Sequence, residues 1–174
     1  MSTPEARARF EIDRLLTAAG WVVQDVADLN LMAGVGVAIR EFPLATGFAD
    51  YLLVVAQKAV GAVEAKKVGV PLIGVEAQSA KYGAGLPPHL KAWRRPLPFL
   101  YESTGVETFV TDGRDPDPRT RRVFAFHRPE TLRAWAQESV SLRARLRTLP
   151  PLITTGLWPA QVERGTESRN VPCR

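Results

Sequence analysis

The sequence predicts an α/β domain, a mixed central β-sheet flanked by helices on both faces. Three observations carry that prediction. Two apolar runs, 47–56 and 59–66, are separated only by Gln57-Lys58 and have the composition of buried strands joined by a tight turn. Ahead of them, Ala8, Ile12, Leu15, Leu16 and Ala19 fall on one face of a helix. After them, a helix-like segment at 73–86 precedes short strand-like runs at 99–103, 107–111 and 123–126, and helix-like segments at 129–137 and 139–149 follow. Strands and helices in one chain bury their apolar faces by layering, here with a sheet of about five strands.

Each element has a local reason. Ser2 and Glu5 have capping-box spacing with Pro4 in the first turn, and Gly20 closes the helix that follows. Trp21-Val22-Val23 opens a short strand, and the polar, Gly-containing segment 25–36 reads as a loop. In the strand 37–42, alternation puts Val37, Ile39 and Glu41 on one face and Ala38, Arg40 and Phe42 on the other. Val68-Gly69-Val70-Pro71 is a loop, and Pro87-Pro88 stops the helix begun near Ile73. Asp112-Gly113 is a turn, and 114–122 is a loop carrying Arg114, Arg119, Arg121 and Arg122. Leu149-Pro150-Pro151 ends the domain, which therefore spans 1–150.

Composition narrows the function classes. A chain of 174 residues with 45% hydrophobic and 24% charged residues supports one domain with a sizeable core. No apolar run has the length of a membrane span, and the N-terminus lacks a signal-peptide core, so we expect a cytoplasmic protein without a membrane partner. One cysteine, Cys173, excludes an internal disulfide, and with only His89 and His127 beside it a structural zinc site is disfavoured. The net charge is +5, but residues 1–90 carry 8 basic and 9 acidic groups against 15 and 9 in 91–174. Eighteen of the 23 cations are Arg, which binds phosphate in a bidentate fork. A basic second half suits a polyanion, although a generally Arg-rich composition explains the charge equally well.

The chemistry concentrates in the hairpin. Antiparallel pairing sets the start of the first strand beside the end of the second, so Asp50 meets Glu64, Ala65 and Lys66. Glu64 and Lys66, two apart on a strand, share a face. Two carboxylates, with the Ala65 carbonyl as a third oxygen, suit a hard cation such as Mg²⁺, and Lys66 would orient water and offset developing charge. The same residues also fit an ion pair at the end of a sheet. On the helix 73–86, Gln78 and Tyr82 are four apart and share a face. Arg40 and Glu41, which precede the hairpin, could reach the corner or a DNA phosphate, or else form a cross-strand ion pair.

The order Gly-x-Ala-Asp50-Tyr-x-Leu, Glu64-Ala65-Lys66 and Gln78-x-x-x-Tyr82 resembles the N-terminal nuclease domain of type I restriction enzyme R subunits. That domain belongs to the PD-(D/E)xK nuclease superfamily, in the RecB-type branch with a Gln-x-x-x-Tyr motif. The likeness runs from about Thr3 to about Gln161 and includes Ala19-Gly20-Trp21, Arg40-Glu41-Phe42 and Gly156-Leu157-Trp158-Pro159-Ala160-Gln161. It implies a restriction-endonuclease-like fold and Mg²⁺-dependent hydrolysis of double-stranded DNA, with Mn²⁺ able to substitute. It further implies that Asp50 and Glu64 hold the metal, that Lys66 is catalytic, and that Gln78 and Tyr82 orient substrate. Related nucleases often carry an extra acid on the first helix that assists the metal, which makes Glu5 and Glu11 candidates for that role, or else solvated helix residues. The implied partners are DNA and the methyltransferase and specificity subunits of a restriction–modification complex.

Residues 151–161 resemble the linker into the ATP-dependent motor of such subunits, Gln161 matching an adenine-contacting Gln. The likeness then stops: 164–170 carries no phosphate-cradling motif, so ATP would serve only a full-length R subunit with its motor. The segment 151–174 thus reads as a linker and an atypical tail, left by a changed reading frame near Arg164 or by deliberate shortening. Two rival expectations are an idle remnant that binds DNA or docks on the modification subunits, and a different PD-(D/E)xK enzyme such as a repair nuclease.

Overall fold

A computed structural model describes residues 4–69, 82, 85–150 and 158, with side chains from residue 6 onward. Ser2, Glu5 as a side chain, Gln78, and the linker and tail with Gln161, apart from Trp158, lie outside the described residues; so does the helix expected at 73–86, apart from Tyr82 and Gly85, which are helical, and Leu86, which is not. Among the described residues, no helix is long and apolar enough to cross a membrane.

Helix α1 (Pro4–Ala18) buries Ala8, Ile12 and Leu16 at four-residue intervals, and Gly20 ends it in the left-handed region at φ 91°. Among the described residues the sheet has seven strands in sequence order: β1 (Val22–Asp25), β2 (Gly36–Leu44), β3 (Gly47–Val55), β4 (Lys58–Ala65), β5 (Phe99–Ser103), β6 (Thr108–Asp112) and β7 (Arg121–Val123). The pairs β1–β2 and β4–β5 are parallel and the rest antiparallel, so the sheet is mixed as expected, with seven strands rather than five because the short outer strands join it. Helices α2 (Pro129–Gln137) and α3 (Leu142–Arg147) follow, the Ser141 hydroxyl capping α3 by accepting from the Ala144 N–H at 3.2 Å.

Two apolar layers sandwich the sheet. On one side, Ile12 and Leu16 of α1 and Leu132 and Ala136 of α2 pack on Tyr51, Leu53, Val55, Val63, Phe99 and Tyr101. On the other, Tyr82 and Leu86 pack on Leu52, Val54, Ala62 and Leu100. Alternating residues of β3 thus serve opposite layers, which is why its sequence reads as a continuous apolar run.

The structure departs from expectation at several points. The hairpin turn is Ala56-Gln57, both left-handed at φ 48° and 61°, and Lys58 is already paired with Val55; a two-residue loop with both φ positive matches strand twist. The last strand lies at Arg121–Val123 instead of 123–126, and Phe126 reaches the core from the loop beyond it. Phe42 joins the layer of Val37 and Ile39, not the opposite face, because alternation breaks at Glu41, whose φ is 47°.

Two irregularities position the hairpin corner. Between Leu53 and Val54 the β3–β4 register shifts, Val54 pairing with Ala59 and Leu53 with Gly61, so Val60 is extra. The bulge resets β4 so that Ala62 faces the Tyr82 layer, and Glu64 two residues on faces it too. One turn of the ladder away, Phe42 and Ala49 pack in the same layer as Ile39 and Leu52, three residues from each, so both strands slip phase at Glu41 and Asp50.

Candidate functional site

The site lies where β3 begins and β4 ends. Tyr51 pairs with Val63, so Asp50 and Glu64 occupy the next rung, as the hairpin argument requires. The Ala65 N–H donates to Asp50 Oδ2 at 2.9 Å, fixing that carboxylate across the strand end. Ala65 thus contributes its N–H to the site. Glu64 Oε1 accepts from Lys66 Nζ at 3.3 Å, and Glu64 Oε2 accepts from the Tyr82 hydroxyl at 2.9 Å. Asp50, Glu64, Lys66 and Tyr82, four of the five side chains assigned from sequence, are therefore brought together; the fifth, Gln78, is not among the described residues.

The corner is partly sheltered. Asp50 and Glu64 retain 21% and 17% exposure and Lys66 33%, so all three are reachable by water. Ala8, Arg9, Asp50, Ala65 and Lys66 line a cleft of about 210 Å³. Tyr82 is buried; that burial first, and the Glu64 charge and hydrogen bond after it, push its phenol above the ordinary range and keep it a donor.

Helix α1 supplies residues that the sequence reading passed over. Arg9 donates from NH2 to Asp50 Oδ1 at 3.0 Å and from NH1 to Glu41. Asp13, one turn on, accepts from the Tyr51 hydroxyl at 2.7 Å and from Arg40, which also reaches Asp25 at 3.0 Å. Arg40 and Glu41 are thus cross-element ion-pair partners, and Glu11 pairs with Arg14 along the helix. The available signal was position: 9 and 13 each follow a buried residue of the stripe, 8 and 12, and so border the sheet.

Glu102 is a further acid at this end of the sheet, set inside an otherwise apolar strand. It sits beside Glu64 in the parallel β4–β5 register and is almost fully buried. Burial pushes its carboxyl pKa up, the Lys66 charge opposes this, and the Glu64 charge adds to it. Asp50, Glu64 and Glu102 therefore occupy three neighbouring strands at one end of the sheet. Even so, no group of three or more His, Cys, Asp or Glu among the described residues is gathered closely enough to hold a metal by itself.

Oxygen chemistry suits a hard cation of the Mg²⁺ type: Asp50 lines the open cleft, Glu64 stands on the neighbouring strand outside its lining, and water and phosphate oxygens would complete the shell. The basic second half divides into structural and surface residues. Arg114 is 4% exposed, paired with Asp112 and stacked over the Phe99 ring at 4.9 Å, so it is not a phosphate contact. Arg121 pairs with buried Asp115, whereas Arg119 and Arg122 are largely exposed and pair with Asp117 and Glu107. No family model matches the chain, and neither does any curated protein or solved structure.

Proposed function

We propose that this chain is the nuclease module of a type I restriction enzyme R subunit, a Mg²⁺-dependent hydrolase of phosphodiester bonds in double-stranded DNA. The observation that carries the reading is the convergence of Asp50, Glu64, Lys66 and Tyr82 at one strand end, with the Ala65 N–H holding Asp50. Asp50 and Glu64 would hold the cation, which when bound supplies Lewis-acid activation of water and charge neutralisation at the phosphate. Lys66 lines the cleft beside Asp50, and its ammonium would orient the attacking water and stabilise charge developing on the phosphoryl oxygens. Tyr82 fixes the rotamer of Glu64 by donating to Oε2, leaving Oε1 toward Lys66. Exposed arginines of the second half, among them Arg119 and Arg122, supply sequence-independent phosphate contacts.

Plasmid nicking with Mg²⁺ or Mn²⁺, set beside gel shifts over a salt series, tests this reading. Wild type is expected to bind duplex DNA without sequence preference, more weakly as salt rises, and to nick it slowly. Lys66→Ala should abolish nicking with binding almost unchanged, since one of 23 cations contributes little to the field. Equal nicking by both proteins would refute the assignment. One observation favours the rival reading of an idle DNA-binding module: the oxygens of Asp50 and Glu64 are already engaged by protein donors. Binding without any nicking across both metals would select it.

A further inference from the structure

We propose that Arg9 competes with the divalent cation for Asp50 and so sets the metal affinity of the site; the inference rests on the nuclease reading, which gives Asp50 a cation to hold. The geometry of the two oxygens is the starting point. Asp50 Oδ2 is held by the Ala65 N–H at 2.9 Å, and Oδ1 receives the Arg9 guanidinium at 3.0 Å. Arg9 and Asp50 both line the cleft that Lys66 enters. The guanidinium therefore stands where a cation bound through Oδ1 would have to approach.

A second, independent feature points the same way. Glu41, the other partner of Arg9, adopts φ 47°, a left-handed conformation that a side chain of this kind seldom takes and that persists only where its surroundings hold it. The phase slip at Glu41 and Asp50 turns both carboxylates toward α1, with Arg9 between them. Backbone strain spent to place a second anion on one arginine is more than helix docking requires, because α1 is already anchored by Ile12 and Leu16.

The balance is adjustable because neither competitor dominates. Arg9 is 45% exposed, so its ion pairs are screened and its side chain can swing into solvent. A cation bound by two carboxylates and water is likewise weakly held until phosphate joins it. Arg9 thus keeps Asp50 neutralised until substrate phosphate tips the competition toward the metal, and the displaced guanidinium is then beside that phosphate.

Mn²⁺ titration by calorimetry, with electron paramagnetic resonance of free Mn²⁺, decides the matter on wild type, Arg9→Gln, Arg9→Lys and Asp50→Asn, each checked for a cooperative thermal melt. Arg9→Gln is expected to bind Mn²⁺ about three- to tenfold tighter than wild type, the effect of removing one screened charge and its ion pair. Arg9→Lys, which keeps the charge but cannot bridge both carboxylates, should fall between them, and stands in for Arg9→Gln if that variant does not fold. Asp50→Asn should lose binding. Arg9 variants binding no tighter than wild type, while Asp50→Asn loses binding, would overturn the role of Arg9 and leave the nuclease reading intact. Mn²⁺ binding that is absent throughout, or undiminished in Asp50→Asn, would remove the metal from the nuclease reading and this inference with it.

Discussion

Tyr82→Phe removes a single oxygen from the site and tests whether Tyr82 positions Glu64. The hydroxyl donates to Glu64 Oε2 at 2.9 Å, and the ring around it is buried against Leu52 and Ala62 in one apolar layer. Phenylalanine keeps that ring, so no large cavity opens. A hydrogen bond to a charged acceptor contributes about 1.5–3 kcal/mol. Glu64 retains 17% exposure, so water recovers part of the loss for the carboxylate. We therefore expect the low end, about 1.5 kcal/mol, or about 3–6 °C in Tm for a chain of this size. Urea unfolding followed by tryptophan fluorescence measures the change, and a double-mutant cycle with Glu64→Ala isolates the pair. A coupling of about 1 kcal/mol is expected for directly bonded neighbours. A loss below about 0.5 kcal/mol, the scatter of substitutions that disturb nothing, or a coupling of zero would refute the positioning role.

Two further predictions concern the opposite layer. Arg114→Ala should destabilise the fold by about 3 kcal/mol, because breaking an inward-facing pair strands its partner, here Asp112, and should leave DNA affinity at wild-type level; a weakened gel shift from a folded variant would contradict this. Burial pushes the His127 imidazole below its ordinary pKa of 6.5, Asp112 opposing, while its Nδ1 lies 2.7 Å from the Tyr101 hydroxyl. The unfolded chain then binds the proton more readily, so stability should be full above pH 6.5 and fall as pH drops through the lower folded value. Replacing His127 with Gln should flatten that slope, and an unchanged urea midpoint profile between the two proteins would exclude His127 as its source.

By itself, the sequence determined the parts of this protein that follow from local periodicity. The four-residue stripe of α1, the apolar runs of β3 and β4 and the spacing of Asp50 from Glu64 are local patterns. A hairpin converts that spacing directly into proximity, so the meeting of Asp50 with Glu64-Ala65-Lys66 was legible before any coordinates. What only the tertiary structure decided involves pairings between distant segments or departures from ideal geometry. The bulge at Val60 and the phase slip at Glu41 and Asp50 leave no period in the sequence, yet they settle which layer Glu64 and Phe42 face. Arg9 lies 41 residues from Asp50, and Glu102 lies 38 from Glu64; their approach depends on how α1 docks and how β5 registers on β4. Arg114 reads as one cation among many in a polar loop, and only the packing of Phe99 and Trp135 around it makes it structural. Side-chain chemistry is written locally, whereas the company each charge keeps is set by contacts across the whole chain.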